Sequence, residues 1–322
     1  MKCLLLLLLA GALHAAGPVR CAFDAKVVDW NYRCVTNNIY SFTYGNNGYY
    51  SSTRNQTHSL IASSVWMGAV RSAGLYPGNI LRANLMCGAS YNGTNGAGDC
   101  VLSACTNLIG SPQVPLINDT GGGMDLAVGV QYRWKYQETG TGGGLGCVST
   151  NSYVVLNTGI MPTNVSAWKN DVHACIYMTI GGVENSVLMG ASDVASTNVF
   201  AIETSYTTVG QASLIWFYLG NPASVDTDGT GLYLGTRTSG AANGVTQYHN
   251  GVSTGSSSSV SGDPAYLPFT IYVLGYNYAG TPLYSTARLC GGYALGRGLT
   301  ATQNTNYYNA WQKFETLLGR QK

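Results

Sequence analysis

Asp226-Thr227-Asp228 places two carboxylates two residues apart just ahead of Gly229. Paired carboxylates can hydrolyse a glycosidic bond when they face each other about 5–9.5 Å apart across a groove. Oxygen ligands gathered in a turn can instead hold calcium. A solvated acidic turn accounts for this pair, and calcium is the cofactor its chemistry admits. Glu184 and Glu203 are the glutamates of the strand-rich half, and neither has a carboxylate two residues away. A Ser-His-Asp triad built on His173 or His249 finds no nucleophile elbow to support it. No glycine cluster joins GxGxxG or Walker spacing to a following helix. No catalytic constellation emerges, so an enzyme is not expected.

Saccharide recognition uses other parts: an aromatic platform with planar amide and hydroxyl donors beside it. Tyr248, Tyr272, Tyr276, Tyr278, Trp168 and Trp216 are available as platforms. Tyr248, Asn250 and Trp216 are the residues assigned here to ligand binding, with a glycan or cell-surface polysaccharide as the partner.

Composition narrows the classes further. Only 9% of the 322 residues are charged, against roughly 25% in ordinary soluble proteins. Glycine contributes 42 residues and tyrosine 23. The surface is therefore built from Ser, Thr, Asn, Gly and Tyr, as in secreted β-proteins and virion proteins. A net charge of +2, with Lys and Arg scattered, gives no electrostatic case for nucleic acid.

The start, MKCLLLLLLAGALHAAG, has the form of an export signal: Lys2, an apolar core from Cys3 to Leu13, and small residues at Ala15-Ala16-Gly17. That core is about 11 residues, short of the roughly 20 that span a bilayer, and no later segment is apolar enough to do so. The expected location is extracellular or on a virion surface. Nine cysteines less Cys3 leave eight: Cys21, Cys34, Cys87, Cys100, Cys105, Cys147, Cys175 and Cys290. An even number in an exported chain permits disulfides. Zinc is disfavoured, because there is no CxxC and His58, His173 and His249 are far apart. Asn55, Asn92, Asn118 and Asn164 open glycosylation sequons, which matter only in a eukaryotic secretory route.

These residues must be positioned by elements of two kinds. A first helix follows Ser52 or Thr53, with Ile61, Val65 and Ala69 at i, i+4, i+8, widened by Trp66 and Val70, and Gly74-Leu75 at its end. Ile80 to Cys87 reads as a brief strand, Asp99 to Leu108 as a short helix, and 126–134 as strand-like. From Cys147 the period is two. Short apolar runs at 153–156, 173–179, 187–189, 199–203, 214–219, 232–238, 245–249 and 271–274 alternate with turn residues, the pattern of an antiparallel sandwich. Asn250-Gly251 predicts a type I′ hairpin, and Ser253 to Gly262 an exposed loop. Thr300-Ala-Thr-Gln303 is a capping box, and Tyr307, Trp311, Phe314 and Leu318 form the apolar face of a last helix. The organisation expected is a signal-like segment (1–17), a small mixed or helical N-terminal region (18–143, ending at the second glycine run), a β-sandwich (144–298) and a docked amphipathic helix (299–322).

The runs Leu156-Asn157-Thr158-Gly159, Val172 to Tyr177, Tyr248-His249-Asn250-Gly251, and Gly296-Arg297-Gly298-Leu299-Thr300 with Tyr308, Phe314 and Leu318-Gly319-Arg320 together resemble one family. It is the laminin-G-like, concanavalin-A-like jelly-roll domains of many phage and bacterial proteins, in which an Ala-Gly-Leu helix end, here Ala73-Gly74-Leu75, precedes the β-domain. The resemblance runs from about 27 to 322. It implies a mainly β, two-sheet jelly roll with an α-containing N-terminal region, and calcium at a loop edge. The signal-like start and the eight cysteines depart from that pattern. The function expected is a non-catalytic surface or virion-associated recognition module, carbohydrate-facing and able to form a homo-oligomer or virion assembly. The alternatives are an exported polysaccharide hydrolase and an architectural coat or fibre component with no ligand.

Overall fold

The computed structural model describes residues 53–87, 126–128, 134–137, 144–147, 155–181, 186–204, 212–218, 223–225, 229–238, 244–256, 267–284, 286 and 288–322. Strand β6 (Val172–Met178) is its reference line. All seven of its residues are buried, yet they divide by period two. Val172, Ala174, Ile176 and Met178 enter one apolar cluster, and Cys175 and Tyr177 enter another. A strand buried on both faces reads as an unbroken apolar run, which is how VHACIYM is written.

The sheet containing β6 has eight strands in the order β13-β12-β11-β6-β17-β4-β3, with β1 also on β17. They are β1 (Ile80–Leu85), β3 (Trp134–Gln137), β4 (Gly144–Cys147), β11 (Gly231–Arg237), β12 (Thr246–His249), β13 (Val252–Ser256) and β17 (Leu289–Gly296), besides β6. The second sheet has nine, in the order β10-β9-β8-β7-β14-β5-β2, with β15 on β7 and β16 on β15. These are β2 (Leu126–Val128), β5 (Val155–Asn157), β7 (Ser186–Ser192), β8 (Val199–Thr204), β9 (Ala212–Tyr218), β10 (Ala223–Val225), β14 (Tyr272–Val273), β15 (Tyr276–Tyr278) and β16 (Thr281–Leu283). Between the sheets lie Ile176, Tyr293 and Leu295 from one side and Leu188, Phe200, Ile202, Ile215 and Phe217 from the other. The protein is thus a mainly β two-sheet sandwich of jelly-roll character with a C-terminal helix.

Both helices pack on the outer face of the eight-stranded sheet. Helix α1 (Thr53–Ser72) and helix α2 (Ala301–Leu317) join β1, Cys175, Tyr177, Leu232, Leu234 and Ala294 in one cluster. Trp311 is its hub. It stacks on Tyr177 (6.1 Å between centroids) and meets Trp66 edge-on at 5.7 Å. Strand β17 lets it approach: a Cβ on Gly292 would lie 2.7 Å from the Trp311 ring. The capping box forms as written, with Thr300 Oγ1 accepting from Gln303 N–H and the Gln303 side chain accepting from Thr300 N–H.

Several boundaries differ from the sequence reading. The buried stripe of α1 is Ala62, Trp66, Met67 and Val70, while Val65 is 37% exposed. The helix is rotated by one residue from the Ile61/Val65/Ala69 line because the large Trp66 ring takes the interface with α2. Strand β13 covers residues expected in a loop. Strand β17, LCGGYALG, was not anticipated, because interior glycines mask a strand pattern. The residues on either side of the glycine run at 142–144 share one sheet: β1 pairs with β17 along 80–85, and β4 pairs with β17 at 289–290. The 99–108 helix and the first 52 residues lie outside the described residues.

Candidate functional site

The hairpin at Asn250-Gly251 has φ of 50° and 78° at its two central residues, the left-handed pair of a type I′ turn. Asn250 is absorbed by this turn. Its N–H donates to Leu232 O (3.0 Å), and its Oδ1 accepts from Leu232 N–H (2.9 Å). Its amide also fills the space beside Gly231 that a Cβ would occupy. Tyr248 is half-buried and packs with Tyr308 into the helix-covered cluster. Trp168 is fully buried and stacks on Phe200. Trp216 lies in β9 opposite Ala201, with its side chain outside the described set. Asp226 and Asp228 lie outside the described residues. Among the described residues, no three His, Cys, Asp or Glu side chains gather as a metal site.

The histidines serve the scaffold. His249 Nε2 is 2.6 Å from Thr230 O, and His173 Nδ1 is 2.5 Å from Arg297 O inside the protein. Burial pulls the His173 pKa down to about 4, against the opposing hydrogen bond to Arg297. Cys87, Cys175 and Cys290 are buried, and burial pushes the Cys175 thiol up to about 12, which keeps it an unreactive thiol. Gly251-Val-Ser253-Thr-Gly255 does carry the letters of a nucleophile elbow. Ser253 sits in strand β13, however, and the elbow requires a strand-to-helix turn. No described helix is long and apolar enough to cross a membrane.

The other three tyrosines noted in the sequence are brought together. Strand β7 has β8 on one side. On its other side the chain first runs antiparallel, with Tyr272 opposite Gly190 and Val273 opposite Met189. It reverses at Leu274, whose φ is 65°. It then returns parallel, with Tyr276 opposite Gly190 and Tyr278 opposite Ser192. Two tyrosines four residues apart thereby flank one glycine. Gly190 is obligatory, since a Cβ there would lie 2.7 Å from Phe200 O.

Around this reversal sits a small cluster outside the main core: Val187, Val199, Ala201 and Tyr276, with Tyr278 against it. The Tyr278 hydroxyl donates to Val194 O at 2.5 Å. The Tyr276 ring meets that of Tyr284 at 6.4 Å, tilted by 43°. Tyr284 is 51% exposed. Two carboxylates border the cluster. Glu203 follows Val199 and Ala201 at period two on β8, and Asp193 comes directly after the last residue of β7. Burial raises the Tyr276 phenol above its usual range. The Ser192 hydrogen bond opposes this, and the charges of Glu203 and Asp193 add to it. At Asp193, burial resists ionisation, but hydrogen bonds from Asn198 and Thr197 outweigh it and hold the carboxyl below its ordinary value.

Backbone strain concentrates at this corner. Five described non-glycine residues have left-handed φ, and four of them are Ser196, Leu274, Ala279 and Tyr284. Ala279 N–H reaches Ser192 O and Val187 N–H reaches Tyr284 O, so all are tied to β7 and its following loop. A bulky residue such as tyrosine rarely adopts this conformation, and strain of this kind gathers at binding sites. Tyr284 and Asp193 are not among the candidates the residue pattern offers. The alternation Tyr276-x-Tyr278 before a turn hints at an aromatic edge, but nothing in the spacing marks Tyr284.

No protein-family model and no curated protein sequence matches the chain. Among solved structures, it is similar to a Trypanosoma rangeli sialidase in complex with difluorosialic acid (TM-score 0.40, 12% identity, 80% of this chain and 40% of that one). It is also similar to the CBM40 domain of a Ruminococcus gnavus IT-sialidase (TM-score 0.33, 11% identity, 52% and 94%). A third is domain 4 of AbnA, a Geobacillus stearothermophilus GH43 arabinanase, in complex with arabinotriose (TM-score 0.31, 17% identity, 60% and 92%). The chain spans less than half the length of the sialidase chain it matches.

Proposed function

We propose that this chain is a non-catalytic recognition module of the laminin-G-like kind. It binds carbohydrate through the Tyr278/Tyr284 face, which the buried Tyr276 ring backs, is exported, and is displayed at a cell or virion surface. The observation that carries the reading is Tyr284: an aromatic ring held half-exposed by a strained left-handed backbone, tilted against the ring of Tyr276. Saccharides bind by laying C–H faces on aromatic rings and donating hydroxyl protons to fixed acceptors, and this corner offers both. The two helices cover the outer face of the eight-stranded sheet, so Tyr248 and Asn250 act as scaffold in this reading. A glycan array with a reducing-sugar assay tests it. Binding without sugar release, weakened by Tyr278→Ala and Tyr284→Ala, is the expected result. Release of reducing ends would overturn it in favour of a polysaccharide hydrolase. Silence across the array would favour a purely architectural component.

A further inference from the structure

We infer that Asn164 is an attachment site for an N-linked oligosaccharide, acquired as the chain is exported through a eukaryotic secretory route. The inference rests on the export proposed above and assigns a modified residue and its chemistry. Asn164-Val165-Ser166 satisfies the acceptor sequence, with no proline at its centre. Of the four sequons, this is the one whose acceptor side chain lies among the described residues.

Local structure turns the acceptor outward. Two short 3-10 turns, Pro162–Asn164 and Ser166–Lys169, connect β5 of one sheet to β6 of the other. Each is pinned by a buried side chain, Pro162 in the first and Trp168 in the second. The Trp168 ring stacks on Phe200 at 5.7 Å within the core between the sheets. Arg237 holds the end of the second turn by donating to Lys169 O at 3.1 Å. With these anchors facing in, Asn164, Ser166 and Ala167 face out and are exposed. Asn164 N–H donates to Met161 O and Val165 N–H to Pro162 O, both at 3.0 Å. The Asn164 side chain itself makes no hydrogen bond among the described residues. Asn157, Asn250 and Asn277 are different, since the Oδ1 of each accepts a backbone N–H. An amide that caps a turn must disturb its hydrogen bonds to carry a sugar, and breaking them costs stability. Asn164 has none to give up.

In the transfer, Asn164 Nδ2 forms a bond to the anomeric carbon of a lipid-diphosphate-linked oligosaccharide. The bond from that carbon to the diphosphate oxygen breaks, the lipid diphosphate leaves with the electron pair, and the amide gives up one proton. The product fits the folded chain as a bulky, solvated surface group. Tyr276 and Tyr278 pack instead with Val199 and Ala201, which alternate on β8 with the core residues Phe200 and Ile202. The attachment site and the proposed ligand face therefore share no residues.

Cell-free translation of the full chain with rough microsomes tests the inference. One version keeps its own first 17 residues, and another carries a standard cleavable signal in their place. Protease protection reports translocation. Release of the sugar by peptide N-glycosidase in heavy-oxygen water, followed by peptide mass spectrometry, reports each asparagine separately. The expected result is labelled aspartate at position 164 in protected chains. Asn164→Gln and Ser166→Ala should each remove one glycan from the gel pattern, and Ser166→Thr should retain it. Asn164→Gln made without glycosylation should melt with the unsubstituted chain, because its side chain holds nothing in place. Unmodified asparagine at 164 in protected chains would overturn the inference and leave export standing. Chains left outside the microsomes by their own leader, but glycosylated at Asn164 under the substituted one, would overturn the export reading and leave the acceptor assignment standing.

Discussion

The Arg320 guanidinium and the Glu315 carboxylate pair inside the protein, with Nε 2.8 Å from Oε2 and both side chains fully buried. The same guanidinium donates to Met86 O (2.9 Å) and Gly291 O (3.4 Å). One residue thus ties α2, the end of β1 and β17 together. Burial pushes the Glu315 carboxyl up, and the Arg320 charge pulls it back. Removing one partner of such a pair leaves an uncompensated charge and costs about 3–5 kcal/mol, whereas replacing both with apolar residues is often neutral. Arg320→Met should therefore lower the urea midpoint sharply, and Arg320→Met with Glu315→Leu should recover most of the loss. Equal loss in the single and double variants would contradict this account.

His173 gives the stability a defined pH dependence. Its folded pKa of about 4 lies below the unfolded value of 6.5, so the unfolded chain binds the extra proton between them. The stabilisation from the neutral ring is complete above about pH 6.5 and is lost as pH falls toward 4. It amounts to about 3 kcal/mol across that window. Denaturant titrations at pH 7, 5.5 and 4.5 should show this slope, and His173→Gln should flatten it.

Tyr284 should trade stability for binding. Its φ of 48° suits glycine, and relieving such strain is worth about 1 kcal/mol. Tyr284→Gly is expected to hold or raise the melting temperature while glycan affinity falls severalfold. A variant that melts lower and binds as before would remove this residue from the site.

Close approach of helix to sheet depends on Gly292. A methyl there would lie 2.7 Å from the Trp311 ring and from Asn84 O, and overpacking of this kind costs about 1–3 kcal/mol. Gly292→Ala should lose that amount in chemical denaturation. Thr300→Ala, which removes the cap of α2, should lose about 1 kcal/mol.

The sandwich was legible where side-chain alternation is strong. The expected runs His173 to Thr179 and Leu232 to Thr238 fall within one residue of β6 (Val172–Met178) and β11 (Gly231–Arg237), and Thr300 and Asn250-Gly251 carry local chemistry that needs no tertiary context. Strand β17 was opaque, since its glycines are selected by the rings that press on them rather than by strand propensity. The site was half legible. Tyrosines 272, 276 and 278 could be named as a pool, but their meeting depends on a chain reversal at Leu274 that only packing against β7 dictates. Tyr248 and Asn250 looked ligand-like because turn chemistry and ligand chemistry use the same residue types.

Strand β17 stands between β6 and the pair β1 and β4, although it occupies residues 289–296 of 322. A ribosome making this chain delivers β1 about two hundred residues before the strand it must bond to. Until then, the inner edges of β6 and β1 have no partner in the sheet. The eight-stranded sheet therefore closes last and across a long span, a topology that folds slowly and exposes strand edges to association in the meantime. A chain cut short at residue 288 would lose the middle of its sheet rather than an edge.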